Sequence, residues 1–179
     1  MKNPFLIGSK IYLRPLERED AGTVLPWVND PEVTCNLLLY RPVNLQAEEE
    51  FIAKANQSEH DLVLGIAVAA TDKLIGATGL DQIDFKNRHA RFGILIGEKT
   101  EWGKGYGTEA TGLLVRHAFE TLNLNRVWLH VFEYNKRGIR VYEKVGFKKE
   151  GALRQDRFHG GRYWDTVAMG LLREEYTNP

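Results

Sequence analysis

Three glycines at alternate positions, Gly103, Gly105 and Gly107, stand between a short apolar run, Phe92-Gly93-Ile94-Leu95-Ile96, and a longer amphipathic one. The first run has the length and composition of a buried strand. In the second, Tyr106, Ala110, Leu113, Leu114, His117, Ala118 and Leu122 recur at helical spacing, which predicts a helix of about four turns starting near Gly105. Strand, glycine loop, helix is a restrictive order. Glycines let successive N–H groups point into one concavity, and the helix adds its unpaired N-terminal donors and positive dipole end at the same place. A phosphate or pyrophosphate suits such a cradle. A tight connection that binds nothing produces the same glycines, so the loop alone leaves both readings open.

The flanking segments narrow the fold. Residues 10–16 alternate apolar and polar side chains as a half-buried strand does, closed by Pro15. Residues 62–68 and 74–80 are strand-like and flank Thr71-Asp72-Lys73, a turn of hairpin length; residues 90–97 extend the meander. After the long helix, residues 126–132 form another apolar strand, so strand, helix and strand imply a parallel crossover. A short helix holding Ile139, Val141, Tyr142 and Val145 ends at Gly146, and two last strands, from Phe147 onward and over 163–171, join at His159-Gly160-Gly161-Arg162. Earlier, Asp20 is expected to cap a helix bearing Val24, Leu25, Trp27 and Val28, strained by Pro26. A second helix is expected from Asn44, with Glu48, Glu49 and Glu50 in its early turns and Leu45, Phe51 and Ile52 facing inward. Residues 34–43 either line a pocket or form a buried connection. The fold class is α/β in the α+β sense: one domain over residues 1–179 with a mixed, mostly antiparallel sheet of about seven strands and flanking helices.

Composition removes several functions. Lys plus Arg and Asp plus Glu number 24 each in 179 residues, so no net field draws nucleic acid or an anionic membrane. The single cysteine, Cys35, cannot form an internal disulfide; with no signal-peptide pattern or 18-residue apolar run, a cytoplasmic protein is expected. His60, His89, His117, His130 and His159 lack metal-ligand spacing, and no metal is expected.

The order of two motifs carries a family likeness. Trp102-Gly103-Lys104-Gly105-Tyr106-Gly107-Thr108-Glu109-Ala110, then Asn135 followed by Tyr142-Glu143-Lys144-Val145-Gly146-Phe147, resemble the Gcn5-related N-acetyltransferases, and within them the ribosomal-protein N-terminal acetyltransferase-like branch. The likeness runs from Ile11-Tyr12-Leu13-Arg14-Pro15-Leu16 to Leu171-Leu172-Arg173-Glu174-Glu175. It implies acetyl-CoA as co-substrate, a primary amine as acceptor, and strands splayed apart before and after the long helix. Backbone N–H groups of Gly103, Lys104, Gly105, Tyr106, Gly107 and Thr108 would then hold the CoA diphosphate. Leu95, Ile96 and Gly97 would line the pantetheine slot, where a backbone N–H polarises the thioester carbonyl. Asn135 would contact the pantetheine arm, or merely cap a helix. Tyr142 would hand a proton to the departing thiolate, a modest service because a thiol of pKa about 8.5 already leaves well. Trp102 stands where the family most often has Gln or Arg.

The proton acceptor is less defined. An attacking amine must be neutral, which at pH 7 costs about 1.4 kcal/mol for an α-amine and about 4.6 kcal/mol for a lysine-type amine. Five residues before the Asn, where some family members carry Glu, this chain has His130, a residue type that titrates near neutrality. Another family acid position holds Arg91; Glu133, Asp81 and Asp84 are solvated charges or bases acting through water. The expected reaction is direct acetyl transfer to a primary amine, with a protein or peptide N-terminal α-amine the first choice and a polyamine, aminosugar or aminoglycoside the alternatives. A CoA-binding module without catalysis is the reading from another class. Dinucleotide binding, which Gly105-Tyr106-Gly107-Thr108-Glu109-Ala110 would also suit, lacks room for a doubly wound sheet. An exposed end strand could pair two copies into a homodimer.

Overall fold

Residues 1–177 are described by the structure, a computed structural model. The apolar runs become strands β1 (Leu6–Ile7), β2 (Ile11–Pro15), β3 (Leu62–Val68), β4 (Leu74–Asp84), β5 (His89–Ile96), β6 (Arg126–Phe132), β7 (Lys148–His159) and β8 (Arg162–Leu172). Among the described residues these form one eight-stranded sheet in the order β1-β2-β3-β4-β5-β6-β8-β7, antiparallel except between β5 and β6. The strand beyond the expected seven is β1, whose two residues pair with Leu13 and Tyr12 and are too few to show an alternation.

Helices α1 (Ala21–Val28), α2 (Pro31–Thr34) and α3 (Leu45–Gln57) fall between β2 and β3; α4 (Tyr106–Glu120) and α5 (Lys136–Val145) flank β6. Strand alternation sends each strand's side chains to two different layers. Ile66, Ile75, Phe92, Val127 and Leu129 meet Leu114, Ala118 and Tyr142 of α4 and α5 in the larger core. A smaller cluster packs Ala21 and Val24 of α1 and Ile52 of α3 against Leu16 and Leu74. The carboxylate of Glu109, in the first turn of α4, accepts from the amides of Ser9 (2.5 Å) and Lys10 (2.9 Å), tying the turn before β2 to the helix start.

Two local expectations fail for tertiary reasons. Asp20 does not cap α1, because its carboxylate is taken by the buried Arg14 guanidinium through paired contacts of 2.7 and 2.8 Å. In α3, Asn44 does cap, accepting from Ala47 N at 2.9 Å, but the helix is rotated from the expected face: Leu45 and Phe51 are exposed, while Glu48 and Ile52, one turn apart, are buried.

The arrangement that positions a site lies between β5 and β6. They pair at His89↔Arg126, Ala90↔Val127 and Arg91↔Trp128 and then separate. β5 continues along β4 as far as Gly76↔Ile96, and β6 along β8 to Phe132↔Thr166. Each strand therefore turns an unpaired edge toward the widening gap, with backbone groups that need a partner.

Candidate active site

The glycine loop sits at the wide end of this gap. Gly103 and Gly105 have φ of +80° and +89°, the left-handed region that side-chain-bearing residues enter at a cost of about 1–2 kcal/mol. A Cβ at either would meet nothing within 4 Å, so the cradle is bare backbone. Among the described residues, no amide N–H from Gly103 through Thr108 has a protein acceptor; the first such bond is Glu109 N to Gly105 O, 3.1 Å. Donors gathered at a helix N-terminus without acceptors fit a diphosphate.

A cavity of about 270 Å³ joins this cradle to the gap, lined by Ile94, Leu95 and Ile96 of β5, by Gly103, Gly105, Tyr106, Gly107 and Thr108, and by Asn135 and Tyr142. Gly97 and Lys104 are not in its lining. The Gly97 amide is spent on Ile75 O at 2.9 Å, and its backbone lies so close to the Trp27 ring that a side chain has no room. Lys104 turns its ammonium to Glu101, 2.8 Å away, outside the lining. Asn135 caps α5, its Oδ1 accepting from Gly138 N at 2.9 Å, and the residue also lines the cavity. Tyr142 is 9% exposed and packs edge-on against Phe92 at 6.0 Å between ring centroids. Desolvation holds its phenol up to about 12, so it keeps its proton at any ordinary pH.

Trp102 earns its place through contacts that the family's Gln or Arg would not make in the same way. Its indole N–H donates to Ile96 O at 2.8 Å, and the Arg137 guanidinium lies 4.5 Å from the ring centroid. The end of β5, the loop and the start of α5 are thereby fastened together.

A second cavity, about 490 Å³, opens on the other face of β5. Gly79 and Gly93 are directly paired across β4 and β5 and line it, so its floor carries no side chains there. Val24 and Val28 of α1, Leu39 and Val43, and Ala47, Glu48 and Phe51 of α3 build the walls. Leu37, Ile94 and Leu95 line both cavities, so the two meet across β5. Residues 34–43 thus line a pocket. The final hairpin does not line it; instead Arg157 of β7 donates to Leu37 O at 2.9 Å, and Tyr134 to Cys35 O at 2.6 Å, bracing the loop from behind.

Charge in the second cavity is sparse. Asp81 is held by Arg91 through contacts of 2.7 and 3.2 Å, so the arginine found at an acid position neutralises its neighbour. Glu48 is 5% exposed, and among the described residues its carboxylate has no hydrogen-bond or ion-pair partner. Burial alone pushes that carboxyl above the ordinary glutamate range. Sequence reading places Glu48 beside Glu49 and Glu50 in the early turns of the helix without separating the three; the signal that does so is its spacing of four from Ile52. His130 is exposed, on the strand face of Trp128 (ring centroids 5.3 Å), whose register partner Arg91 shares its face with Asp81. It therefore stands on the second cavity's side of the sheet, beside the parting of β5 and β6, outside the lining of either cavity.

Comparison with known proteins agrees with this geometry. Residues 10–148 match the Acetyltransferase (GNAT) domain family. An uncharacterized N-acetyltransferase of Bacillus licheniformis is 33% identical over 178 residues, covering 96% of this chain and 97% of its own. A spermidine N(1)-acetyltransferase of Vibrio cholerae is 29% identical over 175 residues, covering 96% and 98%. The crystal structure of the spermidine N-acetyltransferase from Vibrio cholerae in complex with CoA and spermine superposes with a TM-score of 0.85 at 29% identity, covering 94% of this chain and 99% of that one. With its glycine loop of unpaired amides, its parted strands and these relatives, the chain belongs to the GNAT acetyltransferase family and is an acetyl-CoA-dependent N-acetyltransferase.

Proposed function

We propose that this enzyme acetylates a primary amine of a small aliphatic polyamine-type molecule that enters through the second cavity. The observation that carries the reading is the junction of two unlike cavities at Leu37, Ile94 and Leu95: one with a bare amide cradle, the other apolar with a single unpaired buried carboxylate. Hydrocarbon segments between amines suit the walls, and the spermidine acetyltransferases among the relatives support the class.

Acetyl-CoA supplies the acetyl group as a thioester. The amides of residues 103–108 take its diphosphate, and Asn135, Leu95 and Ile96 hold the pantetheine arm along the free edge of β5. The neutral amine's lone pair forms the C–N bond at the carbonyl carbon while the C–S bond breaks. Tyr142 gives its proton to the leaving thiolate, and the proton shed by the amine passes to His130, through water where needed. One domain, residues 1–179, carries the whole reaction.

A second reading, the ribosomal-protein-like branch with a protein or peptide N-terminal α-amine as acceptor, draws on the rim of the second cavity. Leu38 and Tyr40, 68% and 81% exposed, give an extended peptide an apolar ledge. Thiol release measured with spermidine and with short peptides of free and blocked N-terminus separates the two. Turnover of spermidine with none of the peptides is the expected result; turnover of free-N-terminus peptides alone reverses the choice.

A further inference from the structure

Three consecutive glutamates open α3 and have three different fates. Glu49 receives Arg18 Nη2 at 2.6 Å, and Glu50 receives Gln46 Nε2 at 2.9 Å, both at the surface. Glu48 is turned inward, lines the second cavity and has no partner among the described residues. A helix start favours a carboxylate, but an exposed one serves as well, so the dipole gives no reason for burial. Buried carboxylates are ordinarily paired or held neutral, and one that lines an open apolar cavity gains its charge when a cation is brought against it from outside. The cavity's other charge, Asp81, already has Arg91. Glu48 is therefore the free negative site in a chamber otherwise made of Val24, Val28, Val43, Phe51 and bare glycine backbone.

Resting on the polyamine-type reading of the acceptor, we propose that Glu48 is the specificity-determining residue of this enzyme: it binds the second, non-reacting ammonium group of a diamine or polyamine whose first amine lies at the junction of the two cavities. The apolar walls receive the methylene chain between the two nitrogens. Such a site measures the presence of a second cation at a distance from the reacting one, and so separates diamines from monoamines of the same carbon chain.

The test compares cadaverine with n-pentylamine, which share a five-carbon chain and differ by one amine, in steady-state thiol release by wild type, Glu48→Gln and Glu48→Asp. The melting transition checks folding, and calorimetry with acetyl-CoA checks the other cavity. Wild type is expected to show the lower KM for cadaverine; Glu48→Gln should shrink the ratio of the two KM values by about tenfold or more, as loss of a charged hydrogen bond does. Glu48→Asp, which keeps the charge, should retain part of the preference. An unchanged ratio in Glu48→Gln, or equal loss in Glu48→Asp, overturns the assignment and leaves the acceptor reading standing. Acetyl-CoA binding with turnover of neither these amines nor spermidine by wild type sinks the acceptor reading and the role of Glu48 together.

Discussion

The two cavities on either side of β5 are made of different material. On the α4 side, the groups offered to a ligand are backbone: amides of a glycine loop, the free edge of a strand and a helix start. On the α1–α3 side they are side chains drawn from several separate stretches of chain, over a floor where glycines provide only space. A backbone site serves a ligand common to a whole family, because it depends on chain conformation and tolerates change in the side chains around it. A side-chain site can be retuned one residue at a time, which is how one cofactor cleft comes to serve many acceptors.

Substitutions that strike one cavity and spare the other test this contrast. The largest effect is expected from Gly105→Glu, which forces a side chain into the left-handed region and sets a carboxylate where the diphosphate belongs; acetyl-CoA affinity by calorimetry should fall about a hundredfold or more. Retained affinity would mean that the cradle is not the binding site. Gly93→Leu is its counterpart across the strand. The new side chain finds nothing within 4 Å of its Cβ and grows into the second cavity, so kcat/KM for the amine should drop about thirtyfold with acetyl-CoA affinity unchanged. A parallel loss of acetyl-CoA binding would dissolve the division of labour.

Tyr142→Phe should lower kcat about tenfold without weakening either substrate. Because burial raises the phenol to about 12, the acid stays protonated as pH climbs, and the wild-type kcat, measured at saturating amine, should show no alkaline decline below about pH 11. A fall near pH 9 would point to a different proton donor. His130→Ala should cost about fivefold at pH 7 and less at pH 9, where more amine is already neutral; an identical ratio at both pH values removes His130 from proton transfer. The smallest effect belongs to Trp102→Phe, which forfeits the indole bond to Ile96 O but keeps a ring beneath Arg137. About a threefold loss in acetyl-CoA affinity is expected, seen by calorimetry.

Legibility followed the same division. Gly103, Gly105, Tyr106, Gly107, Thr108, Asn135 and Tyr142 stood out in one dimension because each needs a particular residue type at a short, fixed spacing, and all of them line the first cavity. Contacts that only the fold reveals occupy two groups beside the loop: the Lys104 ammonium turns to Glu101, and the Gly97 amide donates to Ile75 O. Asp20 had every attribute of a helix cap except freedom from Arg14, a partner set by the packing of β2 against the turn before α1.

Periodicity and glycine placement determined, from sequence alone, the succession of strands and helices, the parallel crossover and the glycine loop at the start of the long helix, since these arise from interactions within a few residues of one another. Tertiary structure decided the rotation of α3 that buries Glu48 instead of Phe51, the pairing of Arg91 with Asp81, and the meeting of two cavities at Leu37, Ile94 and Leu95. Those outcomes depend on which surfaces remain to be covered once the sheet has formed, and a lone glutamate beside two others in a helix start carries no mark of which one the core will enclose.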